Sequence, residues 1–166
     1  MKKGFTLMEL LLVIALLGLL IIAGLGSFVS SLQKGRDTKR KNDLRQIAVA
    51  LETYYNDFGH YPLSDSNGDI MGCGAAGVLS CTWGSDWNNT VTGTIYMTAL
   101  PTDPTPSQTY FYVSDFKGTY FQLYARLENT HDSGTGINQS PGFVGTVCIG
   151  TKTVCTYGIA SPNATP

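Results

Sequence analysis

The sequence predicts an α+β protein in which one long N-terminal helix packs on an antiparallel β-sheet. Three observations carry that expectation. Residues Leu10 to Gln33 contain no charged side chain. Leu44, Ile47, Ala48, Leu51, Tyr55 and Phe58, with Tyr54 beside them, recur at helical spacing. From Tyr120 to Glu128, Phe121, Leu123, Ala125 and Leu127 alternate with Tyr120, Gln122, Tyr124, Arg126 and Glu128, the period-two signature of a half-buried strand.

The apolar element comes first. From Phe5 to Leu32 the chain offers about 42 Å of helix at 1.5 Å per residue, more than the roughly 30 Å hydrocarbon core of a bilayer. Glu9 is the one ionisable group in that run, and a carboxylate in hydrocarbon requires neutralisation or a partner. A cleaved secretory signal is the competing reading, with Lys2-Lys3 as its positive start and Gly24-Leu25-Gly26 before a cut at Ser27. A plain membrane anchor is another. Glu9 and the length of the apolar run count against the cleaved signal. Charge counting sets Lys34, Arg36, Lys39, Arg40, Lys41 and Arg45 against Lys2 and Lys3, which alone would leave the C-terminal part in the cytoplasm. The four cysteines point to an oxidising side instead, and long domains translocate largely regardless of charge.

No proline or glycine interrupts Arg36 to Phe58, and Gly59 supplies a stop before Pro62, so the helix is expected to run from Phe5 to Phe58. Its stripe should bury against a sheet, with Asp43, Arg45, Gln46, Glu52 and Asn56 off it. The basic cluster Lys34 to Arg45, relieved by Asp37 and Asp43, reads as a solvated stem at the headgroup boundary. Attraction to anionic lipid is its functional alternative, and pairing between neighbouring stems a third.

Pro62 to Ala99 is rich in Gly, Ser, Asn and Asp and reads as a long excursion tied by Cys73 and Cys81. Pro101 to Pro106 is turn-rich. Tyr110–Val113 and Tyr120–Glu128 form a hairpin through Ser114–Gly118, and Val144–Ile149 with Thr153–Ile159 form a second, turning at Thr151-Lys152. The even cysteine count in two close pairs favours disulfides Cys73–Cys81 and Cys148–Cys155 among three connectivities. A zinc site is the alternative, but no Cys-x-x-Cys occurs, and His60 and His131 are the only histidines.

A net charge of −1 argues against nucleic acid as a direct partner. There is no Gly-x-Ser-x-Gly elbow and no phosphate loop, so no enzyme is expected, and His60 reads as a capping or packing residue. No cofactor is expected either. Calcium is the one ion to weigh, because Asp65, Asn67 and Asp69 alternate oxygen side chains, although Ile70 stands where an EF-hand-like loop needs glycine. Asn88, Asn138 and Asn163 begin glycosylation triplets of the kind frequent by chance in a Ser/Thr-rich chain.

Lys3-Gly4-Phe5-Thr6-Leu7-Met8-Glu9 resembles the processing site of the type IV pilin superfamily, which includes the pseudopilins of type II secretion. The resemblance implies a pilin-like fold and a cut between Gly4 and Phe5 by a prepilin peptidase on the cytoplasmic side. It further implies N-methylation of Phe5, and assembly through Phe5 and Glu9. Losing Lys2 and Lys3 leaves nine positive and twelve negative side chains. Ala50 to Asp57, followed by Tyr61-Pro62, is similar to the end of the long helix in G-type major pseudopilins, while the two cysteine pairs resemble true pilins. Major pseudopilins often bind calcium in a C-terminal loop whose pattern is missing here. Many relatives carry a proline near Gly26, and Gly24-x-Gly26, with Gly18, stands as a possible weak point in its place.

The expected organisation is a leader at 1–4, a transmembrane helix at 5–33, an amphipathic stem at 34–61 and an exported, disulfide-tied β head at 62–166. The implied function is a structural subunit of a pilus-like or pseudopilus filament. Its partners would be copies of itself, the peptidase and methyltransferase, an inner-membrane assembly platform and the lipid bilayer. It would reside in the bacterial inner membrane and then in an extracellular or periplasmic filament. The rival is a membrane-anchored exported binding protein or enzyme that does not polymerise.

Overall fold

The computed structural model describes residues 4–74, 77–90, 92–150 and 153–166, with the side chains of 22–27 also outside the description. The lysines of the leader, the Thr151-Lys152 turn and the surroundings of Gly24 and Gly26 therefore lie outside the described residues. One helix, α1 (Leu7–Phe58), spans 52 residues. It starts two residues later than expected because Thr6 caps it. Gly59, at φ 74°, closes it in the left-handed conformation, where its N–H bonds to the Tyr55 carbonyl.

Among the described residues the head carries eight short strands in three antiparallel sheets. β1 (Leu63–Ser64), β2 (Ile70–Cys73) and β3 (Leu79–Cys81) form the first, and β4 (Trp87–Asn89) and β5 (Thr94–Met97) the second. β6 (Phe111–Ser114), β7 (Phe121–Ala125) and β8 (Tyr157–Ala160) form the third, with Ser114 opposite Phe121 and Ala125 opposite Tyr157. The stretch expected as one excursion from Pro62 to Ala99 is thus five strands. Each is two to four residues long, too short to show a period. The second expected hairpin is also corrected. Val144–Ile149 forms no strand, and the region pairs through isolated bridges, among them Phe143 to Cys155, Ile149 to Thr153 and Ile149 to Gln108. Gly145 at φ 88° breaks the extended run, and β8 pairs with β7 instead.

Leu44, Ile47, Leu51 and Tyr54 of α1 pack against Tyr112, Phe121, Leu123, Leu127 and Trp87 of the head. The stripe differs at its end from the expected one. Ala50 and Tyr54 are buried, whereas Tyr55 and Phe58 stay 41% and 37% exposed, because the head lies along the Ala50 side of the last turns. On β7, Phe121, Leu123 and Ala125 face the helix, and Leu127 just beyond it is buried with them, as the alternation predicts. Tyr124 on the opposite face is buried too, under Phe143 and the Cys148–Cys155 bridge. Both disulfides are local, with Cα separations of 5.3 Å for Cys73–Cys81 and 5.2 Å for Cys148–Cys155.

The largest correction concerns the basic cluster. Arg40 is fully buried, and Asp37 and Asp43 nearly so. The Arg40 guanidinium donates to Asp103 through Nε (2.7 Å) and Nη2 (2.8 Å), to Asp37 through Nη1 (2.7 Å), and lies 2.8 Å from Glu128. Asp37 also accepts the backbone N–H groups of Glu128 and Asn129, both at 2.9 Å. Arg36 grips Glu128 with two nitrogens, Lys41 reaches Asp132 at 2.7 Å, and Asp43 takes Lys39 and the Tyr110 hydroxyl. Four of the cations expected on a solvated stem, Arg36, Lys39, Arg40 and Lys41, are therefore paired within the chain, Lys39 with Asp43 of the helix itself and the others because the head brings Asp103, Glu128 and Asp132 to one side of the helix.

Breaking a buried ion cluster by removing one member leaves the others unpaired, at a cost of roughly 3–5 kcal/mol. Arg40→Ala should lower the unfolding free energy of the detergent-solubilised chain by about that much in a denaturant titration. Hydrogen bonding from Arg36, ahead of that from Arg40, holds the Glu128 carboxyl at about 2 against an ordinary 4.5. A depressed carboxyl contributes stability that is complete above its unfolded value and is lost as the pH falls toward the folded one. Melts should therefore weaken from about pH 4.5 downward, and Glu128→Gln should flatten that acid limb.

Candidate functional site

The first turn of α1 is built by its cap. The Thr6 hydroxyl accepts the Glu9 N–H at 3.2 Å, and Glu9 Oε2 accepts both the Thr6 N–H and the Thr6 hydroxyl at 2.9 Å. This reciprocal capping box satisfies two of the donors that a helix start leaves open. Glu9 is thereby fixed at the third helical position, its carboxylate turned back toward the chain entering the helix. Phe5 and Glu9 stand four residues apart, the spacing at which a free amine on Phe5 could pair with Glu9 of its own chain rather than of a neighbour. Phe5 precedes the helix, its nitrogen is a peptide nitrogen in this chain, and Thr6 occupies Oε2 instead.

Gly4 and Phe5 are therefore exposed and outside the helix, immediately before the cap. Phe5 is 82% exposed. The Gly4–Phe5 peptide bond thus lies outside the hydrogen-bonded turns of the helix. A Cβ at Gly4 would meet nothing within 4 Å, so the fold itself makes no demand for glycine at that position.

Beyond the cap, Leu7 to Ile21 and Phe28 to Leu32 present apolar side chains without cover from the rest of the chain. An apolar surface of that extent needs a partner, whether protein or lipid. Among the described residues, no helix is long and apolar enough to cross a membrane. Gly18 likewise has nothing near a hypothetical Cβ.

This geometry meets the comparisons with known proteins at the same residues. Residues 1–25 match the prokaryotic N-terminal methylation motif. Across 134 residues the chain is 27% identical to the type II secretion system core protein G of Pseudomonas aeruginosa, over 81% of this chain and 89% of that protein. No solved structure matches the chain significantly. The likeness read from Lys3 to Glu9 is thus joined by a second one that extends into the head. Together they support a pilin-like or pseudopilin-like role.

The other sequence candidates fall elsewhere. Asp65 spends Oδ1 on the N–H groups of Asn67 and Asp69 and Oδ2 on the Ser80 hydroxyl, which ties the loop as an Asx turn. Burial, and then the Asp65 charge, raise the Asp69 pKa. Among the described residues no group of His, Cys, Asp and Glu is placed to hold a metal. His60 packs on Tyr54 and Phe58, with Nδ1 3.0 Å from the Tyr61 carbonyl oxygen. The sequence reading missed Thr6 as a cap, although Thr-x-x-Glu before an apolar run is a capping-box signature.

Because the fold leaves Gly4 free, a bulkier residue there should act only on processing. Gly4→Val is expected to leave the thermal melt unchanged while abolishing the N-terminal mass shift of cleavage, read by intact-mass spectrometry. A lowered melting temperature would show that the fold does need the glycine.

Proposed function

We propose that this chain is a structural subunit of a helical filament, of the type IV pilus or type II secretion pseudopilus kind, made by processing and polymerisation from the inner membrane. The observation that carries it is the uncovered apolar half of α1, capped by Thr6 and Glu9, directly behind an accessible Gly4–Phe5 bond. The methylation motif at the same residues and the likeness to a type II secretion core protein support the reading.

In this reading residues 5–33 lie across the bilayer, where the capping box keeps the Glu9 carboxylate hydrogen-bonded. A prepilin peptidase cuts after Gly4, and the new Phe5 amine is methylated. Glu9 Oε1, which has no hydrogen-bond partner among the described residues, then receives the amine of an arriving copy. In low dielectric that attraction is strong enough to select one axial register. The apolar rods pack together as they leave the lipid, and the head, held by its disulfides and the Arg40 cluster, faces outward. The chain is the substrate of this chemistry and performs none itself. Extraction requires an external motor in an assembly platform.

N-terminal mass spectrometry of native material, combined with negative-stain imaging of sheared filaments, tests the proposal. It expects chains beginning at methylated Phe5, and polymers. Unprocessed monomers in cells with a working peptidase would favour a non-polymerising anchor. Glu9→Gln should insert into the membrane normally while filament yield falls, and normal yield would remove the role assigned to the carboxylate.

A further inference from the structure

Within the stem, Arg36, Lys39, Arg40 and Lys41 each have a carboxylate partner in the same chain. Arg45 differs. It is exposed, and its hydrogen bond is a 3.3 Å donation to the Asn42 side-chain oxygen, with no carboxylate partner among the described residues. It stands at a groove walled by Tyr157, Ile159, Pro162 and Ala164, where β8 and the following segment lie along one flank of α1.

The other flank has the complementary character. There Gln46, Val49 and Thr53 of α1 face Ile95 and Met97 of β5 across a second groove. Val49 and Ile95 are 68% and 61% exposed. Asp57, near the end of this flank, is exposed and accepts the Tyr96 hydroxyl at 2.9 Å, with no cation partner among the described residues. At 100° per residue, Arg45 and Asp57 project about 120° apart around the helix, so one copy cannot join them to each other.

We infer that these flanks are the two halves of one contact between copies of this chain, Arg45 and the β8 flank of one docking on Asp57 and the β5 groove of the next. A two-fold dimer would need one patch holding both halves, residue i meeting j and j meeting i, whereas these flanks lie about 120° apart around the helix. A contact joining two different patches repeats without closing on itself and builds rings or helical arrays. An exposed ion pair contributes little alone. Flanked by Val49, Ile95 and the β8 groove it is drier, and it discriminates the correct register from like-charge alternatives. This inference rests on the polymerisation proposed above and names the head surfaces that take part in it.

The test is filament yield in cells for the full chain, the variants Arg45→Glu, Asp57→Arg and Asp57→Asn, and the double charge swap. Asp57→Asn keeps an acceptor for Tyr96 while removing the charge, and melts of each detergent-solubilised chain separate folding from assembly. Single reversals should cut the yield at least about tenfold, and the double swap should restore most of it. Polymers from the unaltered chain together with undiminished yield from Arg45→Glu, or a double swap as poor as the singles, would overturn the pairing alone. Failure of the unaltered chain to polymerise under the same conditions would instead overturn the reading on which it rests.

Discussion

A buried guanidinium that cannot be left without carboxylates organises this molecule. Arg40 sits where the uncovered rod gives way to the covered stem, and it collects Asp37, Asp103 and Glu128 around one planar fork. Each partner comes from a different part of the chain: the helix itself, the turn after Leu100, and the segment that follows β7. Asp37 then fixes the backbone at Glu128 and Asn129, and Asp43 fixes Tyr110. The head is thus tied to eight residues of helix by directional bonds before any apolar packing is counted. Because a fork of donors accepts carboxylates in few orientations, the cluster sets the angle of the head on the stem as well as holding it there.

Above the cluster, apolar packing and aromatic contacts continue the attachment. Tyr110, Tyr61 and Tyr96 hydrogen-bond in turn to Asp43, Glu52 and Asp57, so tyrosines anchor the head along the length of the stem. Below it, the described apolar side chains of the same helix are exposed. One continuous element therefore serves two solvents. Its upper half packs within the chain, and the apolar side chains described on its lower half have no cover from the rest of the chain. Thr6 and Glu9 solve the polar problem at the lower end, where open N–H groups and a carboxylate satisfy one another.

Several features were legible because they depend on local pattern. The stop at Gly59, the continuity of the helix and the inward face of β7 follow from spacing and residue type. The burial of Asp37, Arg40 and Asp43 was not legible. A run of alternating charge looks solvated until something distant supplies counter-charges, here Asp103 and Glu128, more than sixty residues along the chain. The same reason hid the end of the apolar stripe, where Tyr54 is covered and Phe58 is left open. The strands between Pro62 and Ala99 escaped notice because two to four residues show no period, and their pairing partners define them.

The sequence by itself determined the long apolar helix, the processing-site pattern around Gly4, Phe5 and Glu9, and the local cysteine pairs, since each is encoded by residues close together in the chain. Tertiary structure alone decided which charges of the stem are paired internally, as Arg36, Lys39, Arg40 and Lys41 are, and which, such as Arg45 and Asp57, have no ionic partner among the described residues. Burial and ion pairing depend on what the fold brings into reach, and that distance is set by the packed head and not by neighbours in sequence.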